Sequence, residues 1–324
     1  MSGSGKALVV ALALSTHMFL NTSAHATEAT AEGDDSMPWV ARAGADAGKD
    51  SSRGATLSLD YVGVGHLHPE FGVSGLHSDA PVSDTTATST TKVVDAHAGY
   101  GSDLIKGGLA FESTSQEGLR TSKRWTGTVN LSGGGFSAGL SVSTRSTDFD
   151  SFSATWPTTL LGQTIVTTAS CSVNDRGYGL SLGYGTDSWS AYLTGNTYDY
   201  DDVECDFATN LPAALHRLNH GAFQQYAGAF LARATARTGG RLGQESGLLS
   251  NSVGAGLVEY WNRFGLAFDY LRTTDEFGGA NVDNYTMTGT LHITAHVATD
   301  LAVGTTVSDS DTAPYAGLYL SVFW

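Results

Sequence analysis

The sequence predicts an all-β protein, a closed antiparallel transmembrane β-barrel of about twelve strands, and three observations carry that prediction. Segments of about ten residues alternate apolar with small polar side chains along most of the 324-residue chain, the pattern of strands with one apolar and one wet face. That length matches the roughly 9–11 residues a tilted strand needs to cross a bilayer. Very short turns alternate with longer polar loops, and Tyr100, Phe111, Trp125, Phe136, Tyr184, Trp189, Trp261 and Phe264 fall near strand ends, where interfacial aromatic girdles belong.

Composition narrows the field before any strand is drawn. Only 15% of residues are charged, 40 are glycine and 6 are proline. No series of apolar runs of roughly 20 residues exists, which excludes a polytopic helical membrane protein. Lys and Arg number 17 against 32 Asp and Glu, a formal charge of −15. An acidic chain without clustered cations is a poor ligand for phosphate backbones, so nucleic acid is not an expected partner.

Residues 1–26 read as a secretory signal. Lys6 gives a positive start, 7–20 is mostly apolar, and Ala24-His25-Ala26 has the small-x-small cleavage form. Cleavage there removes one cation and no acid, taking the charge to −16. Residues 27–53 are polar and short of large apolar groups, and are expected to be a flexible leader, leaving 54–324 for the barrel. The export signal makes the pair Cys171 and Cys205 a candidate disulfide.

Alternation places strands at 55–64, 91–100, 104–113, 124–132, 136–147, 174–184, 189–200, 250–260, 264–273, 284–297, 301–308 and 314–324. Short turns then fall on one side, at Gly101-Ser102-Asp103, Gly133-Gly134-Gly135, Gly185-Thr186-Asp187, Trp261-Asn262-Arg263 and Ala298-Thr299-Asp300. An even count keeps both termini on that side. An excursion around 204–248 is expected to be helical or irregular, because Leu211, Leu215, Leu218, Ala222, Tyr226, Ala229 and Arg233 recur near the helical period. Two further strands within 222–238 are the competing reading and would raise the count to fourteen. In this register Cys171 lies sixteen residues before the turn at Asp187 and Cys205 eighteen after it. They are nearly opposite at the far ends of adjacent strands, within reach of a bridge.

The last eleven residues are the most specific signal. Leu318, Leu320, Val322 and Trp324 share one face of a strand that ends the chain on an aromatic residue. This resembles the terminal strand of Gram-negative outer-membrane barrels, which usually ends in Phe and is read by the barrel assembly machinery. The resemblance implies a bacterial outer-membrane location, with membrane lipid, lipopolysaccharide and that machinery as partners. Stretches 198–203 and 265–274 are loosely similar to autotransporter translocator barrels. With no room for a passenger, that likeness implies shared barrel architecture only.

With the apolar face toward lipid, the opposite face lines the lumen. It includes Asp60, Asp95, His97, Lys106, Glu112, Asn130, Arg145, Asp269, His292 and His296, set among Ser58, Thr126, Thr128, Ser141, Ser143, Tyr192, Asn196 and Thr288. Small hydroxyl and glycine positions leave volume for water, so the expected function is a porin-like channel for passive diffusion of small polar solutes. A nonconducting structural or surface-interaction barrel is the alternative. Arg217, Arg233 and Arg237 in the excursion are expected either to plug an acidic lumen or to lie outside against anionic lipopolysaccharide.

Acidic residues gather at the far strand ends, including Asp148, Asp150, Asp199, Asp201, Asp202, Glu204, Asp206, Asp275, Glu276 and Asp283, with Asp309 and Asp311 in the last loop. Their spacing fits no EF-hand loop, so a solvated surface is expected in place of a Ca²⁺ site. A hydrolase is the second alternative. Asp148-Phe149-Asp150 and Asp95-Ala96-His97 superficially supply the two acidic halves of an omptin-type site, but in reversed chain order and with the Asp-His pair mid-strand. No enzymatic activity, cofactor or metal is expected.

Overall fold

The computed structural model describes residues 38–48, 52–63, 69–81, 88–160, 163–186, 188–209, 248–276, 281–308 and 312–324. All regular structure among these residues is strand. In chain order these are β1 Trp39–Gly48, β2 Arg53–Val62, β3 Glu70–Pro81, β4 Thr88–Gly101, β5 Ile105–Gln116, β6 Arg120–Gly133, β7 Phe136–Leu160 and β8 Gln163–Gly185. β9 Trp189–Tyr200, β10 Glu204–Thr209, β11 Leu249–Trp261, β12 Phe264–Asp275, β13 Asn281–Thr294, β14 Val297–Ser308 and β15 Thr312–Phe323 follow.

Each strand is antiparallel to its neighbours, and β9 passes to β11 so that fourteen strands form a ring closed by β1 against β15. β10 stands outside that ring, pairing with the end of β8 from Thr167 to Ser172. At the seam Trp39 and Trp324 exchange backbone hydrogen bonds, each N–H donating to the other's carbonyl at 3.0 and 3.1 Å. The ring therefore presents no free edge, which is what hydrocarbon requires of a sheet.

The expected twelve strands become fourteen through β1 and β3, which alternation had not registered. β1 lies inside the stretch expected to be leader, as does Arg53 at the start of β2, so the barrel begins at Trp39 in place of residue 54. Its outward side chains, Ala41, Ala43, Ala45 and Ala47, are too small to mark an apolar face. In β3 the outward series Phe71, Val73, Gly75, His77 loses its apolar character halfway. The competing count of fourteen relied on 222–238; those residues, and with them the expected helix and Arg217, Arg233 and Arg237, lie outside the described residues.

Four of the five short turns fall where expected. The fifth is displaced: β13 and β14 join at Ala295-His296, and Ala298 to Asp300 belong to β14. Tight reversal at 134–135 and 262 uses left-handed backbone, with φ of 60° and 85° at Gly134 and Gly135 and 53° at Asn262, conformations that glycine and asparagine tolerate. Short connections also occur at the opposite end, at 49–52, 117–119, 161–162 and 309–311.

Strand parity divides the barrel into two faces. Leu57, Val94, Leu109, Leu140, Leu180, Leu257, Leu301 and Leu318 point outward and are half or more exposed. Each would forgo about 1.5–3 kcal/mol if water, not hydrocarbon, covered it. Aromatic clusters edge this belt near the short turns: Trp39, Tyr61 and Phe71 with centroids 4.9–5.6 Å apart, Phe136 and Tyr184 at 4.6 Å, and Trp261 and Phe264 at 5.8 Å. Phe111 with Trp125 (4.8 Å) and Tyr270 with Tyr285 (5.2 Å) lie higher on the same face. The described interior has no apolar core to match; its one cluster of buried hydrophobic residues is Ala302 with Tyr319.

β7 and β8 outrun the ring. Pairing with β6 ends at Phe149, opposite Arg120, but β7 continues to Leu160 and β8 returns from Gln163. The extra eleven residues give a projection of up to about 35 Å. Cys171 and Cys205 pair directly in register and are joined by a disulfide, their Cα atoms 4.1 Å apart, just beyond the last β8–β9 pair at Asp175 and Tyr200. The bridge ties β10 to the base of the projection.

Two tests follow from this architecture. Leu257→Arg, which places a cation in the apolar belt, is expected to lower folding stability in lipid vesicles by about 2–4 kcal/mol; Thr126→Ser on the inner face should cost less than about 1 kcal/mol. Equilibrium urea titration measures both. Cys171→Ser or reduction should release a local constraint of about 3–4 kcal/mol on a 34-residue separation. Glutamyl endoprotease cleavage after Glu204 is then expected to accelerate while the folded barrel keeps its shifted electrophoretic mobility. Loss of that mobility would mean that the bridge holds the ring itself.

Candidate functional site: the lumen wall of β2 to β9

The register brings distant inward residues into tiers. One tier runs strand to strand without a break: Arg42, Ser58, Ser74, Asp95, Glu112, Arg124, Arg145, Asp175 and Tyr200, each the cross-strand partner of the next. Two carboxylates therefore stand beside two guanidiniums, followed by a third carboxylate. Ser74 donates a hydrogen bond to Asp95, and Thr114 donates to Glu112 at 3.2 Å.

Arg145 is the most heavily tied residue of the tier. Its Nε donates to Asp175 Oδ2 at 2.6 Å and its Nη2 to the Tyr200 hydroxyl at 2.6 Å. Tyr200 in turn donates to the Leu249 carbonyl at 2.9 Å. The rings of Tyr198 and Tyr200 both lie 5.9 Å from the guanidinium carbon. Arg145 and Asp175 are 2% and 1% exposed, so this is an interior ion pair completed by hydrogen bonds, the condition under which such a pair offsets its desolvation. It links β7, β8, β9 and β11 where the chain leaves and re-enters the ring.

Towards the short-turn end the next three tiers of the same wall carry small groups. They read Thr126, Ser143, Gly177, Tyr198; then Thr128, Ser141, Gly179, Asn196; then Asn130, Gly139, Ser181, Thr194. Glycine opposite a hydroxyl or amide lets the longer side chain lean across. A Cβ at Gly139 would overlap Asn130 and Ser181, and one at Gly179 would overlap Asn196 and Ser141. The space left is a shallow recess open to solvent, lined by Thr126, Ser141, Ser143, Ser181, Asn130 and Asn196 and the glycines at 139, 177 and 179, with Arg124 at its upper end.

Further polar contacts complete the bore. Lys106 Nζ donates to Glu70 Oε2 at 2.7 Å. His97 Nε2 stands 3.9 Å from Asp60. The Tyr192 hydroxyl donates to Asp269. At the seam Arg42 reaches Asp300 at 3.5 Å and lies over the Tyr319 ring at 4.7 Å, joining β1, β15 and β14.

The sequence-derived lumen residues are thus placed as follows. Asp60, Asp95, His97, Lys106, Glu112, Asn130, Arg145, Asp269 and His292 occupy inward positions of their strands. His296 does not: it sits exposed in the β13–β14 turn, its Nδ1 3.1 Å from the Phe323 carbonyl. Shifting that turn by three residues removed it from the strand. Asp95 and His97 face inward, whereas Asp148 and Asp150 point outward on β7, so the two halves of the omptin-like pattern lie on opposite faces of the wall. Among the described residues no three His, Cys, Asp or Glu side chains converge as metal ligands; Asp309 and Asp311 lie outside them.

Sequence reading missed Arg42, Glu70, Arg120, Arg124, Asp175, Tyr198, Tyr200 and Asp300. Arg42 and Glu70 belong to the unrecognised strands. The others needed only the period-two count carried to the strand ends: two-residue steps from Asn130 reach Arg124 and Arg120.

No protein-family model matches the chain, and no curated protein matches it. Solved structures do. The CymD monoaromatic hydrocarbon channel is 9% identical with a TM-score of 0.52, over 90% of this chain and 89% of that one. The KdgM porin is 7% identical with a TM-score of 0.42, over 88% and 99%. OmpTdeltaL8, a loop L8 deletion mutant of OmpT, an outer membrane protein of Vibrio cholerae, is 10% identical with a TM-score of 0.45, over 88% and 98%. At such identities the likeness is one of fold, and it rests on CymD. A ring without an edge, faced with hydrocarbon-seeking side chains outside and charge inside, is the fold of a transmembrane β-barrel, and the chain shares that fold with the CymD channel.

Proposed function

We propose that the protein is a passive channel for small polar solutes. The observation that carries this reading is the three-tier patch of serine, threonine, asparagine and glycine on the β6–β9 wall, with free volume in front of it. Side chains this short leave room for water, and their hydroxyls and amides replace lost solute hydration without holding the solute tightly, which diffusion through a pore requires. A hydrocarbon such as the one named for CymD would find few apolar partners along this wall, so polar solutes are favoured. Fourteen strands also enclose more width than the eight-stranded barrels whose interior side chains fill completely.

A second reading draws on the β7–β8 projection and its disulfide-tied β10. A surface-interaction barrel would present such a platform to an external partner, and the bore would then be shut. Liposome swelling in small sugars separates the two.

The channel reading expects stepwise, ohmic currents when the purified barrel is added to a planar bilayer in KCl. Ser141→Trp and Ser143→Trp, which set an indole in the recess, should each lower unit conductance by roughly half. Folded protein that inserts without conducting would overturn the reading.

A further inference from the structure

The recess contains hydrogen-bond donors that the fold leaves unused. Arg145, one strand over, is engaged by Asp175 and Tyr200. Arg124 is 7% exposed, and its guanidinium lies over the Tyr198 ring at 5.6 Å. Its cross-strand neighbour Glu112 accepts instead from Thr114. The Nε of Arg124 is buried without a hydrogen-bond partner, and so is the Nδ2 of Asn130, a residue 6% exposed. Both residues line the one recess, Arg124 at its upper end and Asn130 three tiers below.

A buried guanidinium N–H without an acceptor is costly for a fold to keep. It is satisfied by a ligand that brings an oxygen acceptor to the Arg124 end of the recess. Between them lie Thr126, Ser141, Ser143, Ser181 and Asn196, groups that can exchange hydrogen bonds with hydroxyls. Gly177 and Gly179 keep the floor open, since a Cβ at either would overlap neighbouring hydroxyl, amide or ring atoms. We infer that this recess is a binding station for a small hydroxylated carboxylate, its carboxylate on Arg124 and its hydroxyl on the adjacent tier of Thr126 and Ser143. A planar carboxylate matches the guanidinium fork, and the face of Tyr198 closes one side. The inference rests on the channel reading for its access route and goes beyond it by naming the solute class and the residues that select it.

Lactate serves as probe, with glycerol as the uncharged and chloride as the inorganic comparison. Added to wild-type barrels in KCl-bathed bilayers, lactate should reduce the single-channel current saturably, and glycerol at equal concentration should not. Arg124→Gln is expected to raise the half-blocking lactate concentration about tenfold or more, the loss of one charge-assisted hydrogen bond, while KCl conductance changes less than about twofold. Ser143→Ala, which removes a hydroxyl one tier from Arg124, is read in the same direction should Arg124→Gln fail to fold by heat-modifiable mobility. Current unaffected by lactate, equal blocking in wild type and variant, or equal blocking by glycerol each overturns the station while leaving the channel standing. A wild-type barrel silent in KCl overturns the channel. Equilibrium dialysis of labelled lactate against the detergent-folded barrel then decides the station by itself: Arg124-dependent retention supports it and no retention ends it.

Discussion

Everything in this molecule follows from one constraint: a backbone N–H or C=O in hydrocarbon must find its partner within the protein. Fourteen strands meet it by pairing around a ring, and the ring is complete only because β1 meets β15. The reciprocal hydrogen bonds of Trp39 and Trp324 carry that pairing to the final residue. Arg42 reinforces the seam from inside by reaching Asp300 two strands away across Tyr319. A chain started at residue 54 would lack β1 and expose the edges of β2 and β15 at once. The alanine-rich β1 is therefore indispensable to closure.

Closure has a second consequence, which is that every residue in the ring has a fixed side. The usual distinction between core and surface is inverted: large apolar residues such as Leu109 and Leu257 are exposed, while Arg120, Arg145, Asp175 and Asp300 are 0–2% exposed. Charges are bearable inside because they answer one another across one or two strands. Arg145 with Asp175 and Lys106 with Glu70 are the tightest examples. Hydrogen bonds to hydroxyls, as from Arg145 to Tyr200, add to that pairing.

The outward half of this arrangement was legible in the sequence wherever outward side chains were large. β5, β6, β12 and β15 could be read from Leu, Phe, Trp and Val alone, and their inward partners, including Asn130 and Asp269, followed by parity. β1 and β3 escaped because alanine, glycine and histidine on the lipid side erase the contrast on which the period depends. The disulfide was legible for a different reason: a short turn fixes hairpin register, so the similar counts of sixteen and eighteen residues on either side of Asp187 bring Cys171 and Cys205 close together. The ion pair of Arg145 with Asp175 was not legible, since its register depends on where a 25-residue and a 23-residue strand begin and end. Composition says nothing about strands that outgrow the membrane.

The order of tiers on the β6–β9 wall gives the interior a direction. From the projecting end inward, a solute meets Arg120 and Arg124 with Arg145 and Asp175 first, and the serine, asparagine and glycine tiers afterwards. Charged groups at an entrance act over several ångströms and raise the local concentration of a complementary solute. Short hydroxyl and amide groups act only in contact, and hold a solute weakly enough to release it. Reversing the order would put the long arginine side chains deeper and the small ones at the mouth, leaving weak contacts where capture happens and strong ones where release should. For the channel proposed above, a wall that puts charge before hydroxyl is the arrangement under which a passive pore is selective without becoming a trap.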